Sequence, residues 1–459
     1  MIRTVSIITA FLLVVAAGSA HAQLTKLRAP GEQKSSNIKV LSHIPLPGGG
    51  GRAISNTIIR IADIELEQEL SRPYAYVPMY GKPSQLHVIS LKNPEKAQIL
   101  YTWTVDNPEL HGGAGALAPA YIKTKGRYYL ANGFQFAQGG PDNDLGAIIW
   151  DVTGLPDTSK IREAARIRVP EAPGGFHETF SYKHSSGAAI LAATTQSAFA
   201  HLYDIDRLMA KDPAQGLVGK VPVPDTTGGV NRAYHDFYLA YDPVTKQDKF
   251  YGAGAGGYYV YDITDLASPK LIVAMTGIAG LQRGHSIQAT PDGRYAVLES
   301  EYQYAPIRIT DLKPGLDGTV KNISRPVGAW TASWDGNPHN YDIRWPYVFT
   351  AAFEDGFQVF NMMDPTNPYT VAFYDTYDMP HAPGATGAGL SGGMPGAWGA
   401  DVRNADGLIV ISDMQTGFWA FKMEGFDGWN GHQWGMPNIS AAQDWDNGPD
   451  GAPKPQRVS

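Results

Sequence analysis

The chain has 459 residues, with no cysteine, 51 glycines, 33 prolines, 24 tyrosines and a formal net charge of −7. Without cysteine there can be no disulfide, thiolate metal ligand or cysteine nucleophile, and the acidic balance gives no footprint for nucleic acid or an anionic membrane. Length alone would suit two or three domains, but so much Gly, Pro and Tyr fits many short strands and tight turns, an architecture often built as one unit at this size.

The first element is a leader. Met1-Ile-Arg3 gives a short positive start, Val5 to Ala17 is apolar and uncharged, and Ala20-His21-Ala22 places small residues where a signal peptidase reads. The apolar stretch is shorter than the roughly 20 residues a spanning helix needs. The expectation is therefore a signal peptide over 1–22, cleaved after Ala22, and an exported protein, periplasmic or secreted, with no membrane span after cleavage.

Downstream, one phrase recurs: a strand, a turn with Gly, a second strand ending in Asp or a substitute, often Pro, then a third strand. Clear copies are Tyr74–Val77 with Leu86–Ser90 and Ala97–Leu100, Lys249–Tyr251 with Tyr258–Asp262 and Lys270–Ala274, and Tyr347–Thr350 with Gly356–Phe360 and Tyr369–Phe373. Looser copies start at Tyr128, Ile190, Tyr295 and Leu408. Seven copies spaced about 50 to 60 residues apart predict an all-β, seven-bladed β-propeller over 38–425. Ile38–Leu46 reads as an outer strand without a blade, and the copy ending at Phe421 lacks its outer strand. The expectation is a ring closed by the N-terminal strand completing the last blade, which removes an exposed edge. Residues 426–459 read as a loop-rich or disordered tail.

Tyr261-Asp-Ile-Thr-Asp265 and Asn361-Met-Met-Asp-Pro-Thr-Asn-Pro368 resemble the repeat of the LVIVD-repeat propellers. That resemblance spans nearly all of the chain after the leader. It implies a propeller fold and export, and no particular chemistry.

Twelve histidines are present, and four fall at one place in successive copies: His177, His235, His285 and His339. The equivalent position in the seventh copy is Trp398, and in the second it lies near Ala118. Inner strands line a propeller channel, so equivalent positions form a ring around its axis. Four imidazoles converging there could hold a single iron, copper or zinc ion without cysteine. Glu178 and Asp236 follow two of the histidines and, by strand alternation, are expected to point away from the axis. With Glu301 and Glu354 they are candidates to orient the imidazoles through the other ring nitrogen. Arg283, Trp334, Trp345 and Trp398 are candidates to bind a substrate at the mouth. The other readings are histidines inherited with the repeat that bond between blades, and a metal-free catalytic histidine.

Two metal-binding propeller families are more distantly similar. Ala233-Tyr-His-Asp-Phe237 resembles a phrase of the carotenoid cleavage oxygenases, which implies four histidines around iron. Gly284-His-Ser-Ile-Gln-Ala-Thr-Pro-Asp-Gly293 resembles a strand of the selenium-binding protein and methanethiol oxidase family, whose cysteine motifs are missing here. The Gly-rich stretches run into no helix, so no nucleotide or flavin cofactor is indicated, and no nucleophile elbow is present. The sequence thus offers two functions. One is a metal-dependent oxidoreductase acting on a small organic substrate, and the other a non-catalytic LVIVD-type binding propeller for a protein or saccharide.

Overall fold

The recurring phrase of strand, Asp or Asn turn and strand builds antiparallel meanders. In the computed structural model, which describes residues 31, 33–46, 60–224, 233–242, 244–333, 336–377, 396–431 and 445–446, half of the described residues are strand and 4 % helix. The fold is all-β and propeller-like. The expected leader over 1–22 lies outside the described residues, and among those described no helix is long and apolar enough to cross a membrane.

Four sheets of four strands follow one another along the chain, with inner strands Thr179–Lys183, Tyr234–Asp242, Ser286–Ala289 and Tyr341–Arg344. Before them, a nine-stranded curled sheet holds two such meanders, the inner strands Tyr74–Tyr80 and Gly113–Thr124 being joined through Tyr80 and Gly115. The last sheet contains Ala397–Val402, Ile409–Asp413 and Gly417–Met423. Its fourth strand is Ile38–Ile44, which pairs antiparallel to Gly417–Met423 from Ile38 opposite Met423 to Ile44 opposite Phe418.

The turn residue of the repeat has a mechanical role. Asp364 Oδ1 accepts from the Thr366 N–H at 3.0 Å, Asp265 Oδ1 from Ala267 at 3.1 Å and Asn93 Oδ1 from Glu95 at 3.1 Å. Each short side chain closes the turn that a backbone bond would otherwise close. The outer strand then rejoins with a one-residue slip, at Val88/Ile89, Val260/Tyr261 and Val359/Phe360, a bulge that raises the local twist.

Aromatic and β-branched side chains fill the space between sheets. Tyr182 and Ile190 of one sheet meet Phe237, Phe250 and Tyr259 of the next, all of them buried. The tail begins inside the core: Phe426 and Trp429 are 4 % and 5 % exposed, and Trp429 Nε1 donates to the Trp345 carbonyl at 2.8 Å.

Candidate functional site

Each of the four histidines sits where its inner strand begins, pinned to its own sheet. The His285 N–H donates to the Glu299 carbonyl at 2.9 Å and the His339 N–H to the Ala351 carbonyl at 3.0 Å. Thr194 Oγ1 accepts from the N–H groups of both His177 (3.0 Å) and Glu178 (2.8 Å). At His235 the strand slips register between Tyr234 and Asp236, so His235 is the extra residue of a bulge. Trp398 occupies the same kind of slip between Ala397 and Gly399.

This repeated placement brings the rings into one arc. Successive centroids lie 4.3 Å apart from His177 to His235, 4.1 Å to His285, 4.6 Å to His339 and 4.6 Å on to Trp398. They enclose a chamber of about 10 Å³, bordered also by Leu117, Ala118, Asp63, Glu178, Asp236 and Asn340.

Ring nitrogens are divided between anchoring and the chamber. His339 Nδ1 donates to the Trp398 carbonyl at 2.7 Å, and His177 Nδ1 to Gln135 Oε1 at 3.1 Å. These oxygens accept, so Nδ1 carries the proton and Nε2 keeps its lone pair. His285 Nδ1 donates to Glu299 Oε2, which also takes the Ser286 hydroxyl at 3.1 Å. His285 Nε2 lies 3.3 Å from Glu301 Oε2, and His339 Nε2 lies 3.7 Å from Glu301 Oε1. His235 Nδ1 is buried, with no hydrogen-bond partner among the described residues. Ligand atoms of His235, His285 and Glu301 fall within 4.8 Å of one another.

The charges are uneven around the arc. Burial holds His235 and His339 well below the usual imidazole range, helped by the positive charge of His285. His177 is pushed down to about 3 by burial, then by His285 and Arg283. Burial acts on His285 too, but the carboxylates of Glu299 and Glu301 outweigh it and raise its pKa to about 9. The arc therefore carries three neutral imidazoles and one imidazolium.

The other expected residues divide. Glu301 reaches the imidazoles from a left-handed backbone position, φ 46°. Glu178 and Asp236 do not point away from the axis as alternation implied: both border the chamber and the larger cavity beneath it. Among the described residues neither hydrogen-bonds an imidazole; each accepts from the next backbone N–H, at Thr179 and Phe237. Burial pushes Asp236, and Asp63 beside it, up to about 7. Glu354 follows Phe353, whose ring centroid is 4.5 Å from that of His339. Arg283 is exposed two residues before His285, its backbone bridged to Ala255, and its charge is felt by His177, His235 and Glu301.

Trp345 is not brought to the chamber. It is buried with Trp330, Phe360 and Met362 at the far end of its inner strand. Trp334 lies outside the described residues. Sequence reasoning passed over Gln135 and Asp63, which anchor or border the arc from the part of the chain that carries no arc histidine, and Asn340, which borders it directly after His339. The remaining described histidines serve locally. His87 lies against Thr102 and Met79, His184 against Ser186 and Asp248, and His43 stacks on Trp419 at 3.7 Å.

No protein-family model matches the chain, and no curated protein matches it.

Proposed function

We propose that this chain is an exported, seven-bladed propeller of the LVIVD-repeat type, closed by the strand Ile38–Ile44, that holds one metal ion at its histidine arc. Its activity is that of a metal-dependent oxidoreductase on a small organic substrate. The observation carrying this reading is the division of the ring nitrogens. Nδ1 of His177, His285 and His339 is taken by Gln135, Glu299 and the Trp398 carbonyl. This leaves Nε2 as the donor toward the chamber, the arrangement in which a second bond fixes the tautomer of a metal-binding imidazole.

The donor set of four imidazoles and one carboxylate, with no sulfur, suits iron, copper or zinc once the ion displaces the extra proton of His285. His177, His235, His285 and His339 would hold the ion with Glu301, and an ion there supplies Lewis-acid or redox chemistry. Arg283 and Trp398 at the mouth orient the substrate, Arg283 by charge and Trp398 by its ring face.

The second reading, a binding propeller without chemistry, draws on the same bonds. Two of the Nδ1 contacts, His339 to Trp398 and His177 to Gln135, link one sheet to the next, and they would tie sheets together whether or not an ion binds.

Elemental analysis of protein purified from its native compartment without chelator separates the two. Near-stoichiometric iron, copper or zinc in the parent is expected, lost in His285→Ala and in His235→Ala/His339→Ala while the far-UV spectrum persists. No metal above trace after reconstitution would leave the binding propeller.

A further inference from the structure

Glu299 is the last residue of the strand Tyr295–Glu299 and is fully buried. Its carboxylate faces donors on both sides. Oε2 accepts from His285 Nδ1 and from the Ser286 hydroxyl, and Oε1 accepts from the Glu301 N–H. Its carbonyl takes the His285 N–H at 2.9 Å and the Tyr258 hydroxyl at 2.6 Å. Most of what this residue bonds is therefore His285, its neighbour Ser286, or Glu301.

The bond to Glu301 has a geometric consequence. It joins residues two apart, so the chain turns where the strand ends, and Glu301 takes a left-handed backbone conformation, φ 46°. That conformation is uncommon for a residue with a Cβ and persists where the surroundings hold it. From there the Glu301 carboxylate turns back to the arc, Oε2 3.3 Å from His285 Nε2 and Oε1 3.7 Å from His339 Nε2. Glu299 thus stands behind the His285 ring on its Nδ1 side, while the residue it turns, Glu301, faces the same ring on its Nε2 side.

We propose that Glu299 is a positioning residue that sets His285 and Glu301 together, so that imidazole and carboxylate meet an ion at the arc as one pre-arranged pair. This role rests on the metal-binding reading of the arc and adds to it the device that brings a carboxylate into the donor set.

The chemistry requires a carboxylate at this position and not an amide. Every group facing the Glu299 side chain is a donor, and only a carboxylate accepts at both oxygens. Gln has the same shape, but one of its two ends donates. Turned toward His285, its NH2 takes the Nδ1 lone pair, moves the proton of the neutral ring to Nε2 and points an N–H at the ion. Turned toward Glu301, it meets another N–H, and the turn opens. Either orientation removes one ligand of the pair.

Zinc affinity of the full chain, by competition with a chromophoric chelator, tests this beside 1H–15N spectra of the metal-free protein. Glu299→Gln is expected to weaken zinc binding by about 10–100-fold. It should also shift the His285 Nδ1–H and Glu301 amide resonances together, leaving those of the His177 and His339 rings in place. In a Glu301→Gln background the same change should cost less, because one of the two ligands it sets is already altered. Parent-like zinc affinity in Glu299→Gln, or full additivity in the double variant, would overturn the proposal. If the parent takes up no zinc, copper or iron, the metal reading fails separately. The spectra then decide the positioning role, and an unmoved His285 or Glu301 resonance in Glu299→Gln overturns it. Should Glu299→Gln fail to fold, hydrogen exchange in the parent decides: both N–H groups must be protected, and fast exchange of either overturns the role.

Discussion

Gly146→Ala tests how the histidine arc is held in place. A Cβ at Gly146 would lie 2.5 Å from Cε2 and Cζ of Phe176 and 2.8 Å from Cε1. Carbon atoms rest at about 3.5–4.0 Å, so the ring must retreat by about 1 Å. It has nowhere to go. Phe176 is fully buried among Ile149, Leu191 and Tyr203, and its N–H is tied to the Phe134 carbonyl at 3.0 Å. Overpacking of this kind costs about 1–3 kcal/mol, from which the lower unfolded-state entropy of Ala returns about 0.5–1 kcal/mol. A net loss of roughly 0.5–2 kcal/mol is expected in urea unfolding followed by tryptophan fluorescence. Phe176→Leu in the Gly146→Ala background should recover part of it, because the shorter side chain vacates the contested space. His177 follows Phe176 directly, so the single variant should also shift the His177 imidazole resonances. Unchanged stability in Gly146→Ala, or strict additivity in the double variant, would refute the packing that places His177.

The pH dependence follows from Asp63 and Asp236, whose folded pKa of about 7 lies above the unfolded value near 3.9. Between those values the folded state holds more protons, so stability is lost as pH rises toward and through 7. Unfolded histidines are still half protonated at pH ~6.5 and act in the opposite sense, so the expected signal is a difference: from pH 6.5 to 8 Asp63→Asn/Asp236→Asn should gain urea stability relative to the parent, and an unchanged difference would contradict this. Lys249 is fully buried on Asp242. Lys249→Met, which strands the carboxylate, is expected to cost about 3–5 kcal/mol in the same unfolding measurement. Deleting residues 31–44 bares the Gly417–Met423 edge and should move the elution in size-exclusion chromatography toward larger species than the parent; an unchanged elution profile would count against that pairing as the edge's cover.

The histidine arc was legible because the repeat fixes register. His177, His235, His285 and His339 precede their strands by similar distances, so identical backbone geometry stacks them, and Trp398 falls into the next place for the same reason. The direction of Glu178 and Asp236 was not legible. Strict alternation assumes an unbroken ladder, and the slip at His235 turns consecutive side chains toward the same space. Nothing in a sequence marks such a slip. The acids below the arc were hidden for another reason. Asp63 and Glu65 lie in a segment outside the repeat, while Asp401 comes from near the other end of the chain. They meet when Asp401 Oδ2 accepts the Leu66 N–H at 2.7 Å. Trp345 misled because closeness to His339 in sequence spans the whole length of a strand, one end at the arc and the other in the core.

The strand Ile38–Ile44 sets an order of events during synthesis. Its partner, Gly417–Met423, leaves the ribosome after every other described strand. For most of translation this early segment can only wait unpaired, while the sheets between form by local hairpins. Closing so long a loop adds little to the entropy already spent, since that term grows only with the logarithm of length. The delay is therefore one of time: a chain stopped before residue 423 would hold its central sheets with both ends open, and this pairing forms only once every described sheet between the two strands has been made.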